Sequence, residues 1–251
     1  MFKKIGKKES LSEEVVKQIE EAIIEGEYSS GDKIPSEKEM CEIFNVSRTV
    51  IREAIQKLSA RGLIEIRKGN GIYVKDYAEK YVTDSMELFL ELNLNKEYIM
   101  EVMEVRKLFG PQLAKLAAQN RTEKDLANIE ETIEELKECP ANDFKKEGEI
   151  DKNFHLHIAE ACENSIIVIM LKPMYRLMPT IRSLVYKDNL SVKSQALDYH
   201  KKIFKKIKDQ EPSEAYNLMK DHLKVAEKHS RQLIKESHLD ILKSENILSS
   251  E

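Results

Sequence analysis

Tryptophan is absent from this chain, cysteine occurs three times, proline six times and glycine eight times in 251 residues. Each scarcity excludes something. Cys41, Cys139 and Cys162 are odd in number and far apart, which argues against a disulfide framework and for a reducing, cytoplasmic compartment. So few breakers leave helix as the expected structure after the first quarter of the chain. The longest apolar run, Ile166 to Leu171, is far too short to span a bilayer. The basic start MFKKIGKKES is followed by LSEEVVKQIEE where a signal peptide needs an apolar stretch. The expectation is a soluble intracellular protein with no membrane partner.

What is present fits that class. Hydrophobic residues make up 41% of the chain and charged residues 34%, as in a globular protein with long, well-solvated helices. The net charge of −4 is unevenly spread: residues 33–75 carry nine Lys/Arg against five Asp/Glu, so this segment is +4 and the remainder −8. A compact positive segment is the electrostatic footprint of nucleic-acid binding.

The first 75 residues read as three helices and a hairpin. Apolar Val15, Val16, Ile19, Ile23 and Ile24 follow Ser10 and Ser12, either of which can cap the first helix. Gly26 ends it, and SSGDKIP is a turn. Ser36 caps a short second helix that NVS interrupts. Ser47 caps a third helix, SRTVIREAIQKLSARG, which stops at Gly62. Two β-prone runs then flank Lys68-Gly69-Asn70-Gly71, where Asn-Gly signals a hairpin. This pattern describes a winged helix-turn-helix, whose third helix presents its first turn to the major groove. Ser47, Arg48 and Thr49 occupy that turn. Arg52 lies one turn beyond Arg48 on the same face, so both guanidinium groups can reach guanine edges or phosphates. Ile51, Ala54, Ile55 and Leu58 form the opposite, packing face. Lys68 and the glycines at the wing tip permit close backbone approach to DNA. Taken singly, Arg48 and Arg52 also fit solvated helix charges.

Residues 11–75 closely resemble the DNA-binding domain of GntR-family bacterial regulators, in the stretches GDKIPSEKE, VSRTVIREA and L-x-x-x-G-L-I-x-x-x-x-G-x-G. The resemblance implies operator contacts by Lys38, Arg48 and Arg52, with Lys68 and Gly69 near the minor groove. The family usually has arginine at position 38. Lysine keeps the phosphate-binding charge and lacks the bidentate fork.

Beyond a polar linker at 76–84, the periodicity is helical: Met86 to Leu92, Ile99 to Asn120, Glu123 to Glu138, Phe144 to Cys162, Ile166 to Tyr186, Ser191 to Asp209, and Ser213 to about Leu239. Pro173 and Pro179 should kink or break the fifth of these. At about 100° per residue, Asp151 and His155 lie about 40° apart on one helix face, while His157 lies about 200° from His155. His200 and His222 sit on later helices beside apolar positions that should face a core. Three helices converging in a bundle would join Asp151, His155, His200 and His222 into a set suited to Zn²⁺, Ni²⁺ or Mn²⁺, with open positions for a ligand. Separately, lone histidines on helices are usually satisfied core or surface residues, and His229 and His238 are further histidines on the last helix.

This region looks like the all-helical FCD ligand-binding domain of the FadR subfamily. The matching stretches are E-V-R-x-x-x-G-P-x-L-A-x-L-A-A, D-x-x-F-H-x-x-I-A-E-A-C-E-N and H-x-x-I-F-x-x-I-x-x-x-E-P-x-x-A-x-x-x-M-x-x-H-L. The resemblance implies a divalent metal on Asp151, His155, His200 and His222, and it makes Arg106 of E-V-R an effector-carboxylate ligand. The family commonly has glutamate four residues after that arginine; this chain has Gly110.

The expected architecture is mainly α, with a winged helix-turn-helix domain and small β wing over residues 1–75. An all-helical effector, metal and dimerisation domain follows over 85–240, and then a tail over 241–251. The expected function is a metabolite-responsive transcription regulator. It would bind double-stranded, two-fold operator DNA as a homodimer and take a small carboxylate effector. The competing readings are a metal-dependent hydrolase or lyase with a DNA-binding appendage, in which Glu160 or Glu163 would serve the metal, and a sensor of the metal itself.

Overall fold

The computed structural model describes residues 10–76, 79–140, 143–185 and 191–236. The chain divides into two compact units, Met1–Tyr81 and Val82–Glu251.

In the first unit, helix α1 (Leu11–Ile24) is capped by Ser10, whose side chain accepts the Glu13 N–H. Ser12 is buried instead, bonded to the Ser10 hydroxyl and accepting from Lys57 Nζ. Helix α2 (Glu37–Phe44) starts in a capping box. Ser36 accepts from the Glu39 N–H, and the Glu39 carboxylate accepts from the Ser36 N–H. Asn45, left-handed at φ 51°, ends α2, and Ser47 caps α3 (Arg48–Ala60). Strands β2 (Ile64–Arg67) and β3 (Gly71–Val74) form the expected hairpin, with Ile66 opposite Ile72 and Arg67 opposite Gly71. Gly69 and Gly71 have φ of +75° and +133°, conformations that a side chain would strain.

One strand was not anticipated. Residues read only as a turn contain β1 (Lys33–Ile34), which pairs with β3 and completes an antiparallel sheet of order β1-β3-β2. Two residues are too few to show a period of two. The unit closes around Val15, Val16, Met40, Ile51, Ile55, Leu58, Ile64 and Ile72.

The described part of the second unit is helical. Helix α4 (Glu79–Leu92) begins inside the segment read as a linker, because 76–84 contains no glycine or proline to stop it. Then come α5 (Lys96–Asn120), α6 (Glu123–Glu138), α7 (Phe144–Glu160), α8 (Ser165–Arg176), α9 (Met178–Val185), α10 (Ser191–Lys208) and α11 (Pro212–Glu236). The helix expected over 166–186, with a kink or break at Pro173 and Pro179, is two helices. Pro173 stays inside α8, and the break falls at Leu177, two residues before Pro179. Pro179 is thus the second residue of α9, in a first turn whose N–H groups have no partner within the helix, and its missing N–H costs nothing there. His238, the end of the last predicted helix near Leu239 and the tail 241–251 lie outside the described residues.

α5 packs along α11, and α7 meets α5, α6, α8 and α9. Small residues allow the first contact: Ala114, Ala117 and Ala118 are buried on α5, and a Cβ on Gly110 would meet Leu223 Cδ1 of α11 at 2.6 Å. No helix among the described residues is long and apolar enough to cross a membrane.

Candidate metal centre and nucleic-acid interface

Three helices of the second unit carry the four anticipated ligands: Asp151 and His155 on α7, His200 on α10 and His222 on α11. Each is buried, and their candidate ligand atoms all lie within 4.8 Å of one another. Bonds of about 2 Å to a shared ion would put ligand atoms roughly 3–4 Å apart, so modest side-chain movement closes the set on a cation. His155 Nε2, both ring nitrogens of His200 and His222 Nε2 have no hydrogen-bond partner among protein atoms. Buried polar atoms left unmatched cost about 1–3 kcal/mol each, which is hard to sustain four times without a compensating ligand. The residues therefore fit a divalent cation.

The Asp151 carboxylate is shared evenly. Oδ2 faces Arg106 Nη2 at 3.4 Å and His155 Nε2 at 3.9 Å; Oδ1 faces Arg182 Nη1 and His200 Nε2, each at 3.5 Å. These separations exceed a good hydrogen bond. Burial works against the Asp151 charge, and His155 helps only when protonated. The two guanidinium groups thus hold the carboxyl well below the usual carboxylate range. Burial also keeps the imidazoles neutral: His155 and His200 are pushed well below the ordinary histidine value, and His222 down to about 4. Neutral rings leave a lone pair for a metal at pH 7. Phe154 stacks on His200 at 3.7 Å between centroids, and Tyr175 stacks on His155 at 5.7 Å, so packing fixes two of the rings.

Beside the cluster is a cavity of about 20 Å³ lined by Arg106, Asp151, Arg182, Tyr199, His222 and His229 among others. That volume holds about one water.

In the first unit, Lys38, Arg48, Lys68 and Gly69 line one open cleft between the start of α2, α3 and the wing. Arg52 joins them through Glu37, whose Oε2 accepts from Arg48 Nε at 2.8 Å and Arg52 Nε at 3.0 Å. Thr49 is exposed on the same turn, and the Ser47 hydroxyl accepts the Val50 N–H as the α3 cap. The sequence reading missed Arg67, whose guanidinium lies over the Tyr73 ring at 4.2 Å and whose side chain lines the same cleft.

Residues 11–74 match the model of the bacterial regulatory proteins of the gntR family, and residues 101–225 match the FCD domain. The chain is 31% identical to the HTH-type transcriptional regulator LutR of Bacillus subtilis, over 79% of this chain and 91% of that one. It belongs to the GntR family. The Uxu operon transcriptional regulator of Escherichia coli is 29% identical over 91% of this chain and 88% of its own length. The galactonate operon transcriptional repressor of the same organism is also 29% identical, over 80% of this chain and 88% of its own. A solved structure, Streptococcus agalactiae GntR, superposes with a TM-score of 0.62 at 25% identity, covering 86% of this chain and 99% of that one. The pairing of a GntR helix-turn-helix domain with an FCD domain fits the FadR subfamily.

This GntR-family chain is a transcriptional regulator with an FCD effector-binding domain, and regulators of this kind bind operator DNA. The families and relatives are regulators, which sets aside the hydrolase or lyase reading. Glu160, considered as a group serving the metal, pairs instead with His157 Nδ1 at 2.8 Å on the outer side of α7. Glu163 is exposed just past the helix end. Position 110, where glutamate was the family expectation, faces α11 rather than the cluster. Two lining residues escaped the sequence reading. Arg182 arrives on α9, whose direction depends on where the proline-containing helix breaks. His229, set aside as a spare histidine, follows His222 by seven residues and so returns to the same face after two turns. Glu147 was also missed. Its carboxyl, raised by burial against the pull of Arg182 and Lys193, lies 3.5 Å from Arg182 Nη2.

Proposed function

We propose that this regulator answers a small carboxylate through a divalent metal centre, and that it acts as a homodimer on a two-fold operator. Asp151, His155, His200 and His222 hold the ion (Zn²⁺, Ni²⁺ or Mn²⁺). The observation that carries this reading is the set of four buried ligand groups within 4.8 Å, in which four imidazole nitrogens lack protein partners. The ion would supply a positive anchor for an anionic group, since one carboxylate and three neutral imidazoles leave a net positive charge. Arg106 and Arg182 flank Asp151 and line the adjoining cavity, so either can grip a carboxylate as it reaches the ion. Galactonate, for which the related galactonate operon repressor of Escherichia coli is named, is a sugar acid of the proposed class.

The small cavity bears on signalling. A ligand of several heavy atoms does not fit a volume of about one water, so its binding has to displace lining groups from α5, α9, α10 or α11. A displacement alters operator affinity to the extent that the ligand prefers one arrangement. The dimer is proposed because one recognition helix reads only a few base pairs, and useful affinity needs two half-sites.

Calorimetry with hydroxy, keto, dicarboxylic and sugar acids, on metal-loaded and chelator-treated protein, tests this function. One class of acid should bind the loaded form and lose affinity when the metal is stripped. Equal binding by both forms would refute the metal anchor.

A further inference from the structure

Glu37 is the first residue of α2, and one of its oxygens accepts the Nε–H of both Arg48 and Arg52. The arginines lie on the exposed face of α3, one turn apart, with side chains 67% and 58% accessible against 29% for Glu37. Both bonds use Nε. These bonds leave the end-on pair of terminal nitrogens, the pair that donates in parallel to guanine N7 and O6, outside the Nε contact. The Arg48 hydrogen bond, with that of Arg52 and against slight burial, holds the Glu37 carboxyl below its ordinary value, so the group is charged wherever DNA binding is measured.

We propose that Glu37 is a positioning residue that sets how strongly this regulator discriminates its operator from other DNA. The inference rests on operator contact through Arg48 and Arg52. With Nε held, each arginine offers its terminal edge to a base in a fixed direction, and less rotamer freedom is lost on reading the correct sequence. On other DNA, the same arginines gain most by swinging to phosphates. That swing breaks two charge-assisted hydrogen bonds and leaves a carboxylate facing the phosphate backbone. Glu37 therefore helps the specific complex and penalises the non-specific one. Exposed ion pairs contribute little to stability, so the fold does not depend on it.

The test compares wild type with Glu37→Gln, which keeps shape and loses charge, and with Glu42→Gln. Glu42 is an exposed glutamate of the same helix, and replacing it removes the same charge away from the arginines. The probes are a duplex selected from a random pool by the wild-type chain and a scrambled duplex of equal length, titrated across a salt series. Thermal melting checks the fold. Glu37→Gln should lower the specific-to-non-specific affinity ratio about tenfold, mainly by tightening non-specific binding. It should also steepen the salt dependence on the scrambled duplex by about one to two counterions. Glu42→Gln should change the ratio less than about twofold. An unchanged ratio in Glu37→Gln, or the same change in both variants, overturns the proposal. If Arg48→Ala and Arg52→Ala leave the selected duplex bound as before, the underlying docking geometry has failed instead.

Discussion

Replacing Gly148 by alanine perturbs the site without touching a ligand. The added Cβ would lie 2.5 Å from Pro179 Cα, 3.2 Å from Pro179 N and 3.3 Å from Arg182 Cβ. The nearest atom is backbone, so no rotamer change relieves the clash, and α9 has to retreat from α7 by about 1 Å to restore ordinary contact. Overpacking of this kind costs roughly 1–3 kcal/mol, and a whole-helix shift belongs at the upper end. Alanine's better helix propensity returns about 1 kcal/mol. The net loss is about 2 kcal/mol, or a melting temperature lower by roughly 4–8 °C for a unit of this size. Gly110→Ala is the matched control. Its Cβ meets the end of the Leu223 side chain at 2.6 Å, which can turn aside, so cost and propensity gain nearly cancel. The second unit's transition, followed by calorimetry, should fall in Gly148→Ala and stay within about 2 °C of wild type in Gly110→Ala. Because α9 carries Arg182, the first variant should also bind carboxylate effector more weakly. Equal melting of Gly148→Ala and wild type would refute the reasoning about α7–α9 packing.

Other outcomes follow from the same geometry. With free metal at about 100 times its Kd, binding to the folded state adds about 2.7 kcal/mol, so chelation should lower melting by roughly 5–10 °C. His200→Ala should abolish that difference and His157→Ala preserve it, as read by melting with and without chelator. Arg48→Ala and Arg52→Ala should each cost about 1–3 kcal/mol of operator affinity at fixed salt, by fluorescence anisotropy. Arg106→Ala and Arg182→Ala should each weaken effector binding in calorimetry while leaving the bound metal content unchanged.

Much of this was legible in local patterns. Ser36 with Glu39, Ser47 before an amphipathic run, and Asn70-Gly71 between β-prone runs each specify their own geometry within four residues. The 3.6-residue period put Asp151 with His155 and turned His157 outward. Convergence of His200 and His222 on that pair was only conditional, because it depends on how α10 and α11 pack against α7. Arg182 was invisible for a related reason: its direction depends on the break at Leu177, and two prolines left two places for that break. The role of Gly110 required knowing that α11 approaches within one methyl group of it. β1 was too short to have a period. In each case the missing information was tertiary.

Native mass spectrometry of the purified chain, paired with elemental analysis, tests the metal centre most directly. The account predicts one divalent transition-metal ion per chain in wild type, retained in His157→Ala and lost in folded His200→Ala. Wild-type protein that carries no such ion and takes up none of Zn²⁺, Ni²⁺ or Mn²⁺ on addition would contradict it.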